Sequence, residues 1–265
     1  MRLYLELARR GYRRAAAYPA ATAAGLFTNV FFGFLIAYVL LAVFEQRDEV
    51  GGYDARETVT YVWLTQGLMS VVASFGAPWR DLALRVRSGD IALDLQRPVD
   101  LQSSLLAQDL GRAGYSAVFR AVPPFFVGAL LFDVILPGDP LRLVAFAASV
   151  LLAVVVSFGV RFLVNLTAFW LLDYRGPMTL AMVVSHLLSG MVIPLAFFPG
   201  ALSTIARATP FASMLQLPID IFVGEAAGAE VLAVLAIQAL WACVLFGLGR
   251  AVFALATRKL VVQGG

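Results

Sequence analysis

The sequence predicts an all-α membrane protein. It would have six transmembrane helices, an N-terminal interfacial helix, a cytoplasmic helix after the second span, and re-entrant helices between the fifth and sixth. Three observations predict this. Of 265 residues, 61% are hydrophobic and 14% charged, with a mean hydropathy of +0.84, whereas soluble domains hold roughly 45–50% apolar and about 25% charged residues. Six runs reach the roughly 20 apolar residues that a helix needs to cross a hydrocarbon core. Arginine and lysine collect in alternate connections. The composition excludes an ordinary water-soluble enzyme, a disordered chain and a disulfide scaffold. Cys243 is the single cysteine, so an intramolecular disulfide and a cysteine-built metal site are excluded too.

Residues 1–19 read as an amphipathic segment. Leu3, Tyr4 and Leu7 share one helical face, and Arg9, Arg10, Arg13 and Arg14 lie largely around the other. Such a helix lies in the headgroup layer with its arginines on anionic lipid; the simpler reading is an anchor that only sets orientation. The apolar run that follows is too long for the 7–15 residues of a cleaved signal, so it is expected to be retained. The transmembrane body, residues 20–265, then holds spans at about 20–44, 59–77, 113–135, 143–172, 178–198 and 231–256. None alternates polar and apolar residues, so backbone groups must be satisfied inside each segment, as helices do.

Orientation follows from the basic residues, which resist translocation. Fourteen lie on the side of the N-terminus, the second-span connection and the C-terminus, and four (Arg47, Arg56, Arg142 and Arg207) on the other. Both termini are therefore expected in the cytoplasm. The segment 79–110 interleaves Leu82, Leu84, Ile91 and Leu93 with Asp81, Arg85, Arg87, Asp90, Asp94 and Arg97. Ser88-Gly89-Asp90 reads as a turn opening a helix, and Arg97-Pro98 as its end. Apolar residues among opposite charges suggest a docking surface; a helix folded onto the membrane interface is the alternative. Residues 199–230 are too short to cross and too apolar for a solvated loop, so they fit re-entrant helices turning at proline.

Several chemistries are absent. The single lysine, Lys259, follows Arg258, so no G-x-x-x-x-G-K-[ST] phosphate loop exists. His186 is the single histidine, which excludes a His-pair metal site. Ser185, His186 and Ser189 share one helix without a positioned base, so a polar histidine bonded to a neighbouring helix is preferred over a protease. Arg120 and Arg161 fall inside spans, where they either snorkel or face a polar route. Arg120 precedes Pro123-Pro124, expected to kink the third span. No acidic residue reads as mid-span and no internal repeat is visible, which weighs against a stand-alone carrier or channel. The stripe Phe27, Phe31, Phe34 and Tyr38 is expected to pack against helices or lipid.

In their order along the chain, these features resemble the permease subunits of type-2 ATP-binding-cassette exporters, in a bacterial ABC-2 family transporter subgroup. Arg87-Ser88-Gly89-Asp90-Ile91-Ala92-Leu93-Asp94 with Arg97-Pro98 is similar to the family's coupling region. Ser189-Gly190, Ile193-Pro194-Leu195 and Phe198-Pro199 are similar to its span-five motif, and residues 258–265 to the ending of one subgroup.

The resemblance implies a separate ATPase subunit, two copies per complex, which carries the ATP and magnesium; no cofactor and no enzyme activity are expected in this chain. The ATPase would dock on Arg85, Arg87, Ser88, Gly89, Asp90, Ile91, Asp94 and Arg97 and on the N-terminal helix. A second permease, the same or a sister chain, would complete the path, gated outside by Pro194, Phe198 and Pro199, with Arg120, Arg161 and His186 as polar groups along it. Export of a lipid-like, polysaccharide or drug-like substrate across the bacterial inner membrane follows as the expected activity, with membrane lipids but no nucleic acid among the partners.

Overall fold

A computed structural model describes residues 2–73, 81–171 and 173–258. α1 (Arg2–Ala16) is followed by Pro19, whose fixed φ suits the first turn of α2 (Pro19–Phe44). A short connection closed by a Val50–Tyr53 bridge leads to α3 (Ala55–Val71). There Asp54 accepts from the Glu57 amide at 2.7 Å while Glu57 accepts from the Asp54 amide at 2.9 Å, so two orphan donors are satisfied reciprocally. α4 (Asp81–Ser88) and α5 (Ile91–Leu95) form a helical hairpin, and Asp100 caps α6 (Leu101–Ser116) by accepting from the Ser103 amide.

α6 continues through a π-helical turn, Ala117–Ala121, into α7 (Val122–Leu131). Pro123 and Pro124 supply no amides and their rings crowd the preceding turn, so the chain widens there instead of breaking. α8 (Pro140–Leu166), α9 (Arg175–Leu188), α10 (Gly200–Ala208), α11 (Gln216–Val223) and α12 (Ala229–Thr257) complete the order.

This is an all-α membrane protein. Among the described residues, four helical stretches are long and apolar enough to cross a bilayer: Pro19–Phe44, Leu101–Leu131, Pro140–Phe169 and Ala229–Thr257. α3 and α9 are shorter, at 17 and 14 residues. α3 is buried on nearly every side, as an apolar helix wrapped by others should be. It lies against α2, α7 and α11, with Tyr61, Leu64, Leu68 and Val71 in the main core. Interhelical hydrogen bonds supplement packing: Asn29 Nδ2 donates to Gln66 O at 2.8 Å, and Ser149 Oγ to Gln238 Oε1 at 2.8 Å.

Helix bounds differ from the hydropathy reading in two places. The third-span helix begins at Leu101, so the last ten residues of segment 79–110 are not a connector. Its amphipathic first turns escape a hydropathy window because one face meets protein. The fifth apolar run, 178–198, is helical only to Leu188; Gly190 turns the chain at φ +81° and Pro194 starts an irregular stretch. Residues 74–77 of the second span, 79–80 of the connecting segment, Leu172 and Lys259 to Gly265 of the ending motif lie outside the described residues.

α1 packs chiefly along α6, and two glycines set the crossing. A Cβ on Gly11 would overlap the Gln108 carbonyl, and one on Gly111 would overlap the Ala8 carbonyl. The face turned to α6 is Leu7, Ala8, Gly11 and Ala15, whereas Leu3 and Tyr4 are exposed. Gly111→Leu is therefore expected to lift α1 and cost about 1–3 kcal/mol, as overpacking does. Gly114→Leu, whose site is open, should leave the thermal midpoint in micelles unchanged. Equal midpoints for the two variants would contradict the crossing.

Candidate functional site

The bundle has a basic end, carrying α1, α4 and α5, and an opposite end carrying α10 and α11. At the basic end the α4–α5 hairpin is held from within. Ile91 is fully buried among Leu82, Leu101, Phe158, Phe162 and Leu166. Arg85 donates to Asp94 at 2.8 Å, and Arg97 sits 3.6 Å from the same carboxylate. Asn165 Oδ1 accepts from the Ala83 amide at 2.9 Å and so fixes the start of α4 onto α8. Gly89 turns the chain at φ +82°, and Ser88 Oγ donates to Asp90 at 2.7 Å.

The predicted docking residues therefore divide. Ile91, Asp94 and Arg85 brace the hairpin against the body. Leu84, Arg87, Ser88, Gly89, Asp90, Leu93 and Arg97 are exposed, and Arg87 also lies over the Tyr174 ring at 5.6 Å. Three exposed leucines, Leu84, Leu93 and Leu95, within a charged rim make a surface suited to a protein partner. Of the N-terminal arginines, Arg9 pairs with Glu6 and Arg14 with Asp81 at 3.3 Å; Arg10 and Arg13 are exposed.

Behind the hairpin lies a buried ion-pair group. Arg161 is 3% exposed and its Nη2 is 2.6 Å from Asp109 Oδ2. Arg112 Nε donates to the other carboxylate oxygen at 2.7 Å. Its terminal nitrogens donate to Ser70 O at 2.9 Å and Val71 O at 2.7 Å, closing the end of α3. Asp109, which falls in the connecting segment 79–110 of the sequence reading, lies in the first third of the Leu101–Leu131 stretch. Its signal in the sequence was the Asp109–Arg112 spacing of three on an amphipathic face. Arg120, half-buried, lays its guanidinium on α2 at Gly25.

At the opposite end a second buried network joins α3 to α10 and α11. Tyr53 Oη donates to Asp220 Oδ1 at 2.6 Å, and Arg207 Nη1 to Asp220 Oδ2 at 2.8 Å. Gln216 Nε2 donates to Asp220 at 2.6 Å, while its Oε1 accepts from Tyr61 at 2.9 Å and from the Leu195 amide at 2.8 Å. Tyr61 also reaches the Gly190 carbonyl at 2.7 Å. Burial, then the Asp220 charge, push the Tyr53 hydroxyl well above the ordinary phenol range, so it remains a donor at physiological pH.

Pro194, buried, and Phe198, half-buried, frame the turn Leu195–Phe197, and Pro199 precedes α10. Phe198 packs on Leu195, Ala206, Ala212 and Leu217. Sequence reasoning missed Asp220, Gln216 and Tyr61. An acidic residue two positions after Pro218 in an apolar run was the available hint. His186 is half-buried on α9, where Ser185 Oγ donates to Ala181 O and Ser189 Oγ to His186 O. The aromatic stripe splits: Phe34 meets Trp63 at 5.2 Å, while Phe27, Phe31 and Tyr38 are exposed.

An all-α bundle with several helices long and apolar enough to cross a bilayer, and an exposed charged hairpin at one end, is the class of a polytopic membrane protein. The chain belongs to the ABC-2 family transporter proteins, matching that family over residues 28–264. No curated protein matches it. It is a multi-pass membrane component of an ABC transporter, and membership implies association with an ABC ATPase subunit.

Proposed function

We propose that the chain is the permease subunit of an ABC exporter whose basic end faces the cytoplasm, with both termini on that side. A separate ATPase, two copies per complex, binds ATP and magnesium and docks on the α4–α5 hairpin. Two permeases, identical or sister chains, line the path for a lipid-like, polysaccharide or drug-like substrate. The observation that carries this reading is the exposed rim of Leu84, Arg87, Asp90 and Leu93 on a hairpin rigidly tied to α8, in a chain that belongs to the ABC-2 family.

The mechanics follow from the ties. A push on α4 reaches α8 through Asn165 and the Ile91 cluster. It passes from α8 to α6 and the end of α3 through Arg161, Asp109 and Arg112. α3 carries the displacement across the bilayer to Tyr61, whose bonds hold Gly190 and Gln216 beside the re-entrant helices. Residues 194–199 then act as the outer gate.

Reversing charge at the rim tests the docking. Arg87→Glu with Asp90→Arg should abolish co-purification of the ATPase and ATP-driven transport, while the thermal midpoint stays near wild type because both side chains are exposed. Retention of the ATPase by that double variant, or ATP-driven transport at the wild-type rate, would overturn the reading.

A further inference from the structure

A cavity of about 440 Å³ opens beneath α1 at the basic end, walled by α1, α4, α6 and α8. That is within the roughly 300–1,000 Å³ of small-molecule sites. Its walls are mainly apolar, including Leu82, Leu105, Phe158 and Phe162. Its polar lining is unbalanced. Arg14, Arg85, Arg112 and Arg161 face it, against the carboxylates of Asp81 and Asp109, and Arg85 already holds Asp94 at 2.8 Å, so four guanidiniums meet three carboxylates. At its floor one carboxylate, Asp109, serves two guanidiniums, so the buried group keeps a net positive charge. Burying an uncompensated charge is costly, and a bound counter-ion relieves it. A second cavity of about 250 Å³ adjoins across Arg85 and Leu105 and adds Arg10 and Arg97 together with the Asp94 carboxylate.

We propose that this cavity binds an amphiphile bearing an anionic phosphoester headgroup. The phosphate sits at the mouth between Arg14 and Arg85, and its apolar chain lies along Leu105 and Phe162. Arginine suits phosphate because its planar fork meets two oxygens at once. Arg14 holds Asp81 only at 3.3 Å and is 64% exposed, so it can exchange that partner for a phosphate. The proposal rests on the reading that α1 lies at headgroup depth. It does not depend on ATPase docking, which the rim variant tests separately.

The test uses the full chain in detergent micelles. Dioleoyl-phosphatidylglycerol, dioleoyl-phosphatidylcholine and inorganic phosphate are added separately, with bound ligand read by native mass spectrometry. Phosphatidylglycerol should be retained about tenfold over phosphatidylcholine, and Arg14→Ala with Arg85→Ala should remove that preference. Millimolar inorganic phosphate should compete with the retained lipid. Asp81→Asn, which frees Arg14, should raise retention. Leu105→Trp fills the cavity without changing charge and should lower it, which keeps the test available if the double arginine variant fails to fold. Equal retention of both lipids overturns the proposal. So does undiminished retention in Leu105→Trp, and so does binding of inorganic phosphate without retention of phosphatidylglycerol.

Discussion

Asp109→Leu is expected to cost about 3–5 kcal/mol of stability, because removing one partner of a buried ion pair leaves the other charge uncompensated. Here the effect is compounded. Both Arg161 and Arg112 lose their carboxylate, although Arg112 keeps the Ser70 and Val71 carbonyls. Among the described residues, Arg161 keeps a single side-chain bond, at 3.3 Å to Ser157 Oγ. The double variant Asp109→Leu with Arg161→Met replaces the pair with apolar groups of similar length and should recover most of the loss, since such replacements are often neutral. Thermal midpoints of the two single variants and the double variant in micelles form the cycle. Additive effects would mean that the pair does not couple α6 to α8.

Asp220→Ala is expected to have the second largest effect, at the opposite end. Tyr53 and Gln216 each lose a buried acceptor, at about 1–3 kcal/mol per orphaned donor, and Arg207 loses its ion-pair partner. Gln216 also holds Tyr61 and the Leu195 amide, so the damage should spread to the 194–199 turn. Asp220→Asn keeps an oxygen for Tyr53 and should cost less. Proteolysis between residues 195 and 215 should accelerate in Asp220→Ala and less in Asp220→Asn. Equal rates in wild type and Asp220→Ala would show that the network does not secure α10 and α11.

The two networks explain why some of the site was legible and some was not. The α4–Gly89–α5 hairpin could be read because its signals are local: Ser88, Gly89 and Asp90 make a turn, and Arg97-Pro98 ends the helix. Which residues of that hairpin face outward could not, because Arg85 and Asp94 turn inward toward each other only when the two helices fold together. The amphipathic character of α1 was equally plain, but its buried face is the small-residue row around Gly11. That row is defined by the approach of α6, not by hydropathy. Residues 189–198 looked like the continuation of a span because they are apolar. Gly190 and Pro194 bend the backbone there, and the Tyr61 and Gln216 side chains take up the carbonyl and amide that the bend exposes.

Composition and local pattern were enough to determine an all-α membrane protein with a basic end and a helical hairpin after the second apolar run. Those properties follow from the transfer energy of each residue and from its near neighbours in the chain. Only the tertiary structure decided that Arg161 pairs with Asp109, 52 positions away, and that Tyr53 meets Asp220, 167 positions away. The physical reason is that a buried charge must find a partner in space, and where that partner lies in the sequence is set by how the helices cross.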